Sequence, residues 1–223
     1  MALATKRIKA TLTARELRRV LAAASTESPD IRAMIILGFA TGMRFCELSA
    51  LEWQDIDLVD GSLEIRRSQV QGNVGPPKTE STRRHVYLPP EVVEVLQAHK
   101  AWQVAEEVRG LEKGLVFPSA LGGYRFPQIL AKPLERCCKL AKVPKRLTAH
   151  CMRKTTNNLV RQAAGDTVAR AMVGHSTEEM TFRYSDVDKA ERAKAHAAAF
   201  EDAFGTEGKE SVGPKCGTDV LPH

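Results

Sequence analysis

Several features that define specialised protein classes are missing from this 223-residue chain. No apolar run approaches the roughly 20 residues that a membrane-spanning helix requires, and the first residues lack the apolar core of a secretory signal peptide. The five cysteines are an odd number, and none has the Cys/Cys or Cys/His spacing of a zinc site. We therefore expect a cytoplasmic protein with reduced cysteines.

Aromatic residues are also scarce, at 5% of the chain, so Leu, Val, Ala and Ile must supply most of the core. The length suffices for one domain with a sizeable core. The hydrophobic and charged fractions, 43% and 27%, are those of a globular protein. A formal net charge of +6 and a pI near 9.1 favour a polyanionic partner.

The stretch from Ala149 to Val187 has the most unusual combination of side chains. His150 and Arg153 lie three residues apart, so they share a face on a helix. His175 follows a glycine between two helical stretches, which suits a side chain that points into a cleft. Tyr184 comes nine residues later. Together these residues offer positive charge, proton transfer and a phenolic nucleophile.

Capping signals and hydrophobic periodicity predict a mainly helical chain. Thr13 and Glu16 form a capping-box pattern at the start of a helix that continues to about Ala24. Further helices are predicted over 30–40, 43–51, 90–108, 126–142 and 149–163, then from Gly165, and over 188–203 in an Ala-rich segment.

Alternating patterns predict three strands, over 53–58, 62–66 and 84–88. Asp60-Gly61 is a turn signal that joins the first two strands as a hairpin. A long polar loop, GNVGPPKTESTRR, separates the second strand from the third and contains Lys78. The fold class is therefore α+β, mainly helical, with a small three-stranded antiparallel sheet.

Basic residues also occur at helical positions suited to phosphate. Arg44 begins a predicted helix, where free N–H groups and the helix dipole attract anions. Glu47 is expected to brace Arg44 or a neighbouring backbone group, although an ordinary surface ion pair gives the same spacing. A further set recurs at helical spacing and fits either contacts to DNA phosphates or a solvated face: Lys132, Arg136 and Lys139.

In this order the motifs resemble the catalytic domain of the tyrosine recombinases, the phage integrase family. At the carboxyl-terminal end the resemblance rests on His150-Cys151-Met152-Arg153, Val173-Gly174-His175-Ser176 and Arg183-Tyr184-Ser185. Upstream it rests on Thr41-Gly42-Met43-Arg44-Phe45-Cys46-Glu47-Leu48 and on Lys78 in its loop. Met152 stands where the family usually has Leu. The resemblance covers roughly residues 10–190.

The resemblance implies that the chain cuts and rejoins DNA through a 3′-phosphotyrosyl intermediate, with no cofactor and no metal. Tyr184 would be the nucleophile and His150 its proton acceptor. Lys78 would protonate the leaving 5′-oxygen. The charge on the phosphate would be stabilised by Arg44, Arg153 and His175.

By the same resemblance, residues 13–204 form the catalytic domain. The polar and basic composition of residues 1–12 predicts a lead-in or linker, and the Gly-, Pro- and Lys-containing residues 205–223 are expected to be disordered. Double-stranded DNA is the expected partner, bound by a tetramer whose subunits are monomers when free, with no membrane partner. The family's amino-terminal DNA-clamping domain has no counterpart here, so autonomous sequence-specific binding is not expected.

Three other functions fit parts of the sequence. A topoisomerase IB-like enzyme would use the same chemistry without strand exchange, and multimer formation on DNA discriminates against it. A non-catalytic DNA-binding module would function without Tyr184. A basic helical protein with no nucleic-acid role would lack salt-sensitive DNA binding.

Overall fold

The computed structural model describes residues 10–75 and 84–173, together with residue 198. The helices in this part of the chain are α1 (Ala14–Ala23), α2 (Pro29–Thr41), α3 (Phe45–Ser49), α4 (Pro90–Ala105), α5 (Ala131–Leu140) and α6 (Ala149–Val173). The strands are β1 (Ile56–Asp57), β2 (Ser62–Ile65), β3 (Ser68–Val70), β4 (Asn73–Gly75) and β5 (Arg84–Tyr87). The predicted α+β class, mainly helical, is confirmed. Within the described ranges, every helix is too short or too polar to cross a bilayer.

Helix α1 begins at the predicted capping box. The Thr13 hydroxyl accepts the Glu16 N–H at 3.2 Å, and the Glu16 carboxylate accepts the Thr13 N–H at 2.8 Å. These reciprocal bonds satisfy two of the donors that a helix start leaves without partners. Helix α2 is buried at every position over 33–41 and packs against α4 and α6, so it forms the centre of the core.

The three-stranded sheet has the order β1-β2-β5, and both pairs of neighbours are antiparallel. Leu63 in the middle strand pairs with Ile56 on one side and Val86 on the other, and all three side chains are buried. The predicted sheet is therefore confirmed. The first strand is shorter than predicted, because residues 53–55 form a turn of 3-10 helix.

A second hairpin, β3–β4, occupies the beginning of the segment predicted as a long loop. Its turn residues, Gln71 and Gly72, have φ of +52° and +86°, as a primed hairpin turn requires. The side chain of Gln69 fastens the hairpin by donating to the Ser49 hydroxyl at 3.3 Å and the Arg125 carbonyl at 3.0 Å. The loop prediction was wrong for residues 72–75 because these anchors are distant in sequence.

The amino-terminal end of the described chain packs into the domain. Leu12 is 4% exposed, and its N–H donates to the Thr155 hydroxyl of α6 at 3.1 Å. The Lys145 ammonium donates to the Thr11 carbonyl at 2.9 Å and to the Glu16 carboxylate at 2.6 Å. Residues 11 and 12 of the predicted lead-in thus contact α1, α6 and the segment before α6.

Of the last two described helices, only α5 begins at a clearly different residue from the predicted one. Helix α5 begins at Ala131, after a 3-10 turn over Pro127–Leu130, so the predicted start at residue 126 was too early. Helix α6 kinks at Gly165, where φ is +83°, and this confirms the predicted break there. The predicted Ala-rich helix lies outside the described residues, except for Ala198.

Gly42 provides a test of how tightly α2 and α6 pack. It ends α2 with φ of +60°, and an added Cβ would lie 3.1 Å from Cγ2 of Thr156. We expect Gly42→Ala to lower the free energy of unfolding by about 2 kcal/mol, from backbone strain plus steric crowding. Urea denaturation with the Gly72→Ala control measures it, because Gly72 also has positive φ but has nothing within 4 Å of an added Cβ. Equal losses would contradict the close contact.

Candidate active site

Arg44 is placed by the sharp turn between α2 and α3. Gly42 stops the first helix in the left-handed conformation, and Arg44 is the N-cap residue of the second. The Arg44 side chain stays 41% exposed and reaches into a cavity of about 1310 Å³. The sequence prediction that this arginine begins a helix is therefore confirmed, and its guanidinium group is accessible to a ligand.

Glu47, one turn later, holds Arg44 by two contacts. One carboxylate oxygen accepts the Arg44 backbone N–H at 2.8 Å, and the other accepts a guanidinium N–H at 2.9 Å. The carboxylate is 2% exposed, so this is not a surface ion pair. Burial alone would raise the pKa of Glu47, but the Arg84 charge and the Arg44 and Arg84 hydrogen bonds outweigh it and hold the pKa below the usual range.

Arg153 approaches the same point from α6. Its guanidinium donates to the Gly42 carbonyl at 2.9 Å, and the residue is 4% exposed. Burial, followed by the neighbouring charges of Arg44 and Arg84, lowers the pKa of Arg153 to about 9. The guanidinium therefore stays charged at neutral pH, in surroundings that would be stabilised by a bound anion.

The cavity brings Arg44, His150 and Arg153 together, as the sequence motifs predict. His150 is the second residue of α6 and is exposed at the cavity wall. The wall also has a basic set supplied by α5 and the segment that follows it: Lys132, Lys139, Lys142, Lys145 and Arg146. Glu135 contributes negative charge to the lining, but cations prevail, so the cavity suits an anionic ligand.

The three basic residues predicted on α5 divide into two groups. Lys132 and Lys139 line the cavity. Arg136 instead forms an ion pair with Glu27 through two hydrogen bonds, one of which Nε donates at 2.8 Å. Arg136 does not line the cavity. Two of the three basic residues therefore face the cavity, whereas Arg136 pairs with Glu27.

Cysteines also line the cavity, but their chemistry does not suit a nucleophile. Cys46 and Cys138 are both lining residues, and burial raises the pKa of each thiol. A thiol with a raised pKa is protonated near neutral pH and is a poor nucleophile. Within residues 10–75 and 84–173, no group of three His, Cys, Asp or Glu side chains is placed to hold a metal ion.

Sequence reasoning missed Arg84, the first residue of β5. Its guanidinium donates to Glu47 at 3.1 Å and its side chain is 7% exposed. Strand alternation could have found it, because Arg84 lies on the same face as the buried Val86. Three predicted site residues lie outside the described ranges: Lys78, His175 and Tyr184.

The arrangement defines a class of site. Two guanidinium groups from separate helices face one cavity beside an imidazole, and no thiolate or metal cluster accompanies them in the described residues. Guanidinium groups bind phosphate oxygens through paired N–H donors and can stabilise charge that develops on a phosphoryl group. The site is therefore suited to a phosphodiester.

Solved structures show that the fold is that of a tyrosine recombinase catalytic domain. XerA recombinase matches with a TM-score of 0.63 and 20% identity, over 86% of this chain and 65% of that chain. The Tn1549 transposon integrase, in complex with transposon right-end DNA, matches with a TM-score of 0.65 and 19% identity, over 86% of this chain and 66% of that chain.

The chain belongs to the phage integrase family, whose sequence model matches residues 10–191. A tyrosine recombinase XerC-like protein of Caldanaerobacter subterraneus subsp. tengcongensis is 27% identical over 68% of this chain and 44% of its own length. The putative prophage phiRv2 integrase of Mycobacterium tuberculosis is 27% identical over 82% of this chain and 52% of its own length. The chain thus spans about half the length of the curated relatives it matches.

The lowered pKa of Glu47 predicts a pH-dependent stability contribution. A carboxyl group with a depressed folded-state pKa stabilises the protein above its unfolded value, near 4.5, and loses this contribution as the pH falls through the folded value. At pH 7 we expect Glu47→Gln to lower the free energy of unfolding by roughly 2 kcal/mol. Urea denaturation from pH 7 to pH 3 should show this difference shrinking below pH 4.5. A difference that stays constant would contradict the prediction.

Proposed function

We propose that the chain is the catalytic domain of a site-specific DNA recombinase that cuts and rejoins DNA through a 3′-phosphotyrosyl intermediate. The observation that carries the proposal is the meeting of Arg44, His150 and Arg153 in one basic cavity. Membership of the phage integrase family and recombinase relatives such as the XerC-like protein support it. The chemistry follows from what each side chain can donate or accept.

Arg44 and Arg153 have complementary positions for binding a phosphate. Arg44 is half-exposed and oriented by Glu47, so it can meet the backbone of a duplex at the mouth of the cavity. Arg153 is buried and held by the Gly42 carbonyl, so its direction is set before the substrate arrives. Attack on phosphorus adds negative charge to the non-bridging oxygens, and preorganised guanidinium donors stabilise that charge.

In the proposed cleavage of DNA, a side chain is assigned to each bond change and each proton transfer. The Tyr184 oxygen attacks phosphorus, a new oxygen–phosphorus bond forms, and the bond to the 5′-oxygen breaks. His150 takes the phenolic proton, since an imidazole exchanges protons near neutral pH, and returns it during religation. Lys78 gives a proton to the departing 5′-oxygen, and His175 adds a donor to the phosphate. The phosphotyrosyl bond keeps the energy needed for rejoining, so no cofactor enters the step.

The partner that we propose is double-stranded DNA, bound by a tetramer. The lysines of α5 lie on the cavity wall beside the two arginines, where phosphates flanking the cut would follow the same cationic surface. A cytoplasmic location in a bacterial or phage-encoded setting belongs to the same proposal, and similarity to a bacterial recombinase and a prophage integrase supports it. Solved relatives include XerH bound to its difH substrate, which matches with a TM-score of 0.62 and 22% identity.

A covalent trapping experiment tests the proposed activity. The protein is incubated with a pool of nicked duplexes taken from DNA flanking its gene, and protein-linked DNA is sought on a denaturing gel. We expect an adduct that maps to Tyr184 and disappears in Tyr184→Phe. Bound DNA without an adduct would favour a non-catalytic module. An adduct with relaxation of supercoiled DNA but no multimer on DNA would favour a topoisomerase-like enzyme.

A salt-dependence measurement tests the DNA-binding surface on α5. Lys139→Ala should weaken binding to an arbitrary duplex and reduce the slope of log affinity against log salt by about 1, because one phosphate contact is lost. Arg136→Ala is the matched control, since Arg136 is on the same helix but pairs with Glu27 outside the cavity. Equal slopes for the two variants, measured by fluorescence anisotropy, would reject this surface.

A further inference from the structure

Arg84 occupies an unusual position behind the active site. It begins β5, its side chain is 7% exposed, and its guanidinium donates to the Glu47 oxygen that also accepts the Arg44 backbone N–H. The other Glu47 oxygen accepts from the Arg44 side chain. One buried carboxylate is therefore shared by two arginines, one buried and one facing the cavity.

The charges in this cluster bear on how Arg44 can act. If Glu47 were paired with Arg44 alone, its negative charge would largely cancel that of Arg44 towards a ligand. Arg84 supplies a second positive charge to the same carboxylate. Its field also reaches Arg153, because Arg84 is among the charges that lower the pKa of Arg153. With Arg84 present, the cluster keeps an excess of positive charge at the cavity.

Burying a guanidinium group is costly, and this cost calls for an explanation. Removal of a charge from water costs several kcal/mol, and a buried ion pair is on average a weak source of stability. Burial lowers the pKa of Arg84, and the charge and hydrogen bond of Glu47 offset part of that effect. An apolar residue would fill the same face of β5 beside Val86 without this cost.

We propose that Arg84 is a positioning residue that neutralises Glu47, so that Glu47 can orient Arg44 while Arg44 keeps its positive charge for the phosphate. The proposal rests on the proposed function, because it assigns Arg44 to a phosphate of the substrate. It predicts that the effect of losing Arg84 on phosphate affinity depends on Glu47. An arginine that only stabilises the fold would change the unfolding temperature and leave phosphate affinity unchanged.

The test uses inorganic phosphate as the probe, with chloride at matched ionic strength as the reference. Phosphate bound at the arginine cluster raises the unfolding temperature, and the concentration dependence yields a dissociation constant. We expect Arg84→Met to weaken phosphate binding roughly tenfold, because one charge is lost a short distance from the ligand in partly buried surroundings. Arg84→Lys, which keeps the charge, should recover most of the affinity.

The double variant Glu47→Gln/Arg84→Met distinguishes neutralisation of Glu47 by Arg84 from a purely structural role of Arg84. It removes one charge of each sign, so the cluster regains its original net charge. Phosphate affinity should return to within about threefold of the wild type, because the two contacting residues act non-additively. Arg125→Met is the matched control, since Arg125 is a partly buried arginine that pairs with Asp30 outside the cavity lining. It should lower stability without changing phosphate affinity.

Three results would overturn the proposal. These are wild-type affinity in Arg84→Met, a double variant that binds phosphate as weakly as Arg84→Met, or a wild-type protein that does not distinguish phosphate from chloride. Failure of the proposed function looks different, because phosphate binding would follow the expected order while no DNA adduct formed at Tyr184. The covalent trapping assay on the same variants should rank their cleavage rates in the order of their phosphate affinities.

Discussion

The buried carboxylate of Glu47 is the interaction on which the site depends. It joins the start of α3, through the Arg44 backbone and side chain, to the start of β5, through Arg84. A negative charge at 2% exposure survives only because donors surround it. Helical and sheet parts of the fold are thereby held at a fixed separation, and the direction of the Arg44 guanidinium follows from that separation.

Gly42 connects α6 to the part of the site that Glu47 holds in place. Its left-handed conformation ends α2 and turns the chain into Arg44, and its carbonyl accepts the Arg153 guanidinium. The closeness of Thr156 leaves little room for a side chain at this position. Two arginines that are distant in the chain thus meet because a glycine lets two helices approach closely. Core packing and phosphate recognition therefore depend on the same few backbone atoms.

Local chemistry explains which features could be predicted from the sequence. The capping box at Thr13, the helix stop at Gly42 and the break at Gly165 each follow from residues within one turn. The β3–β4 hairpin could not be predicted, because the anchors of Gln69 are supplied by residues distant in the chain. The pairing of Arg136 with Glu27 could not be predicted for a similar reason, since Glu27 lies 109 positions away.

The site residues likewise divide into those that local motifs mark and those that depend on contacts distant in the chain. Arg44, His150 and Arg153 could be named because family motifs mark them, but spacing alone could not show that Glu47 is buried or that Arg84 shares it. Those facts depend on how β5 packs behind α3, which is a property of the whole domain. Sequence thus identified Arg44, His150 and Arg153 in the cavity, and the structure added Arg84, which contacts Glu47 from behind.

The attachment of the first described residues has a mechanical consequence. Lys145, in the cavity wall, donates a hydrogen bond to the Thr11 carbonyl. The Leu12 N–H donates to α6, the helix that carries His150 and Arg153. Tension applied at Ala10 would therefore pass through these two hydrogen bonds to the cavity wall and to this helix. The domain is built so that a pull at this end is felt at the place where phosphate would bind.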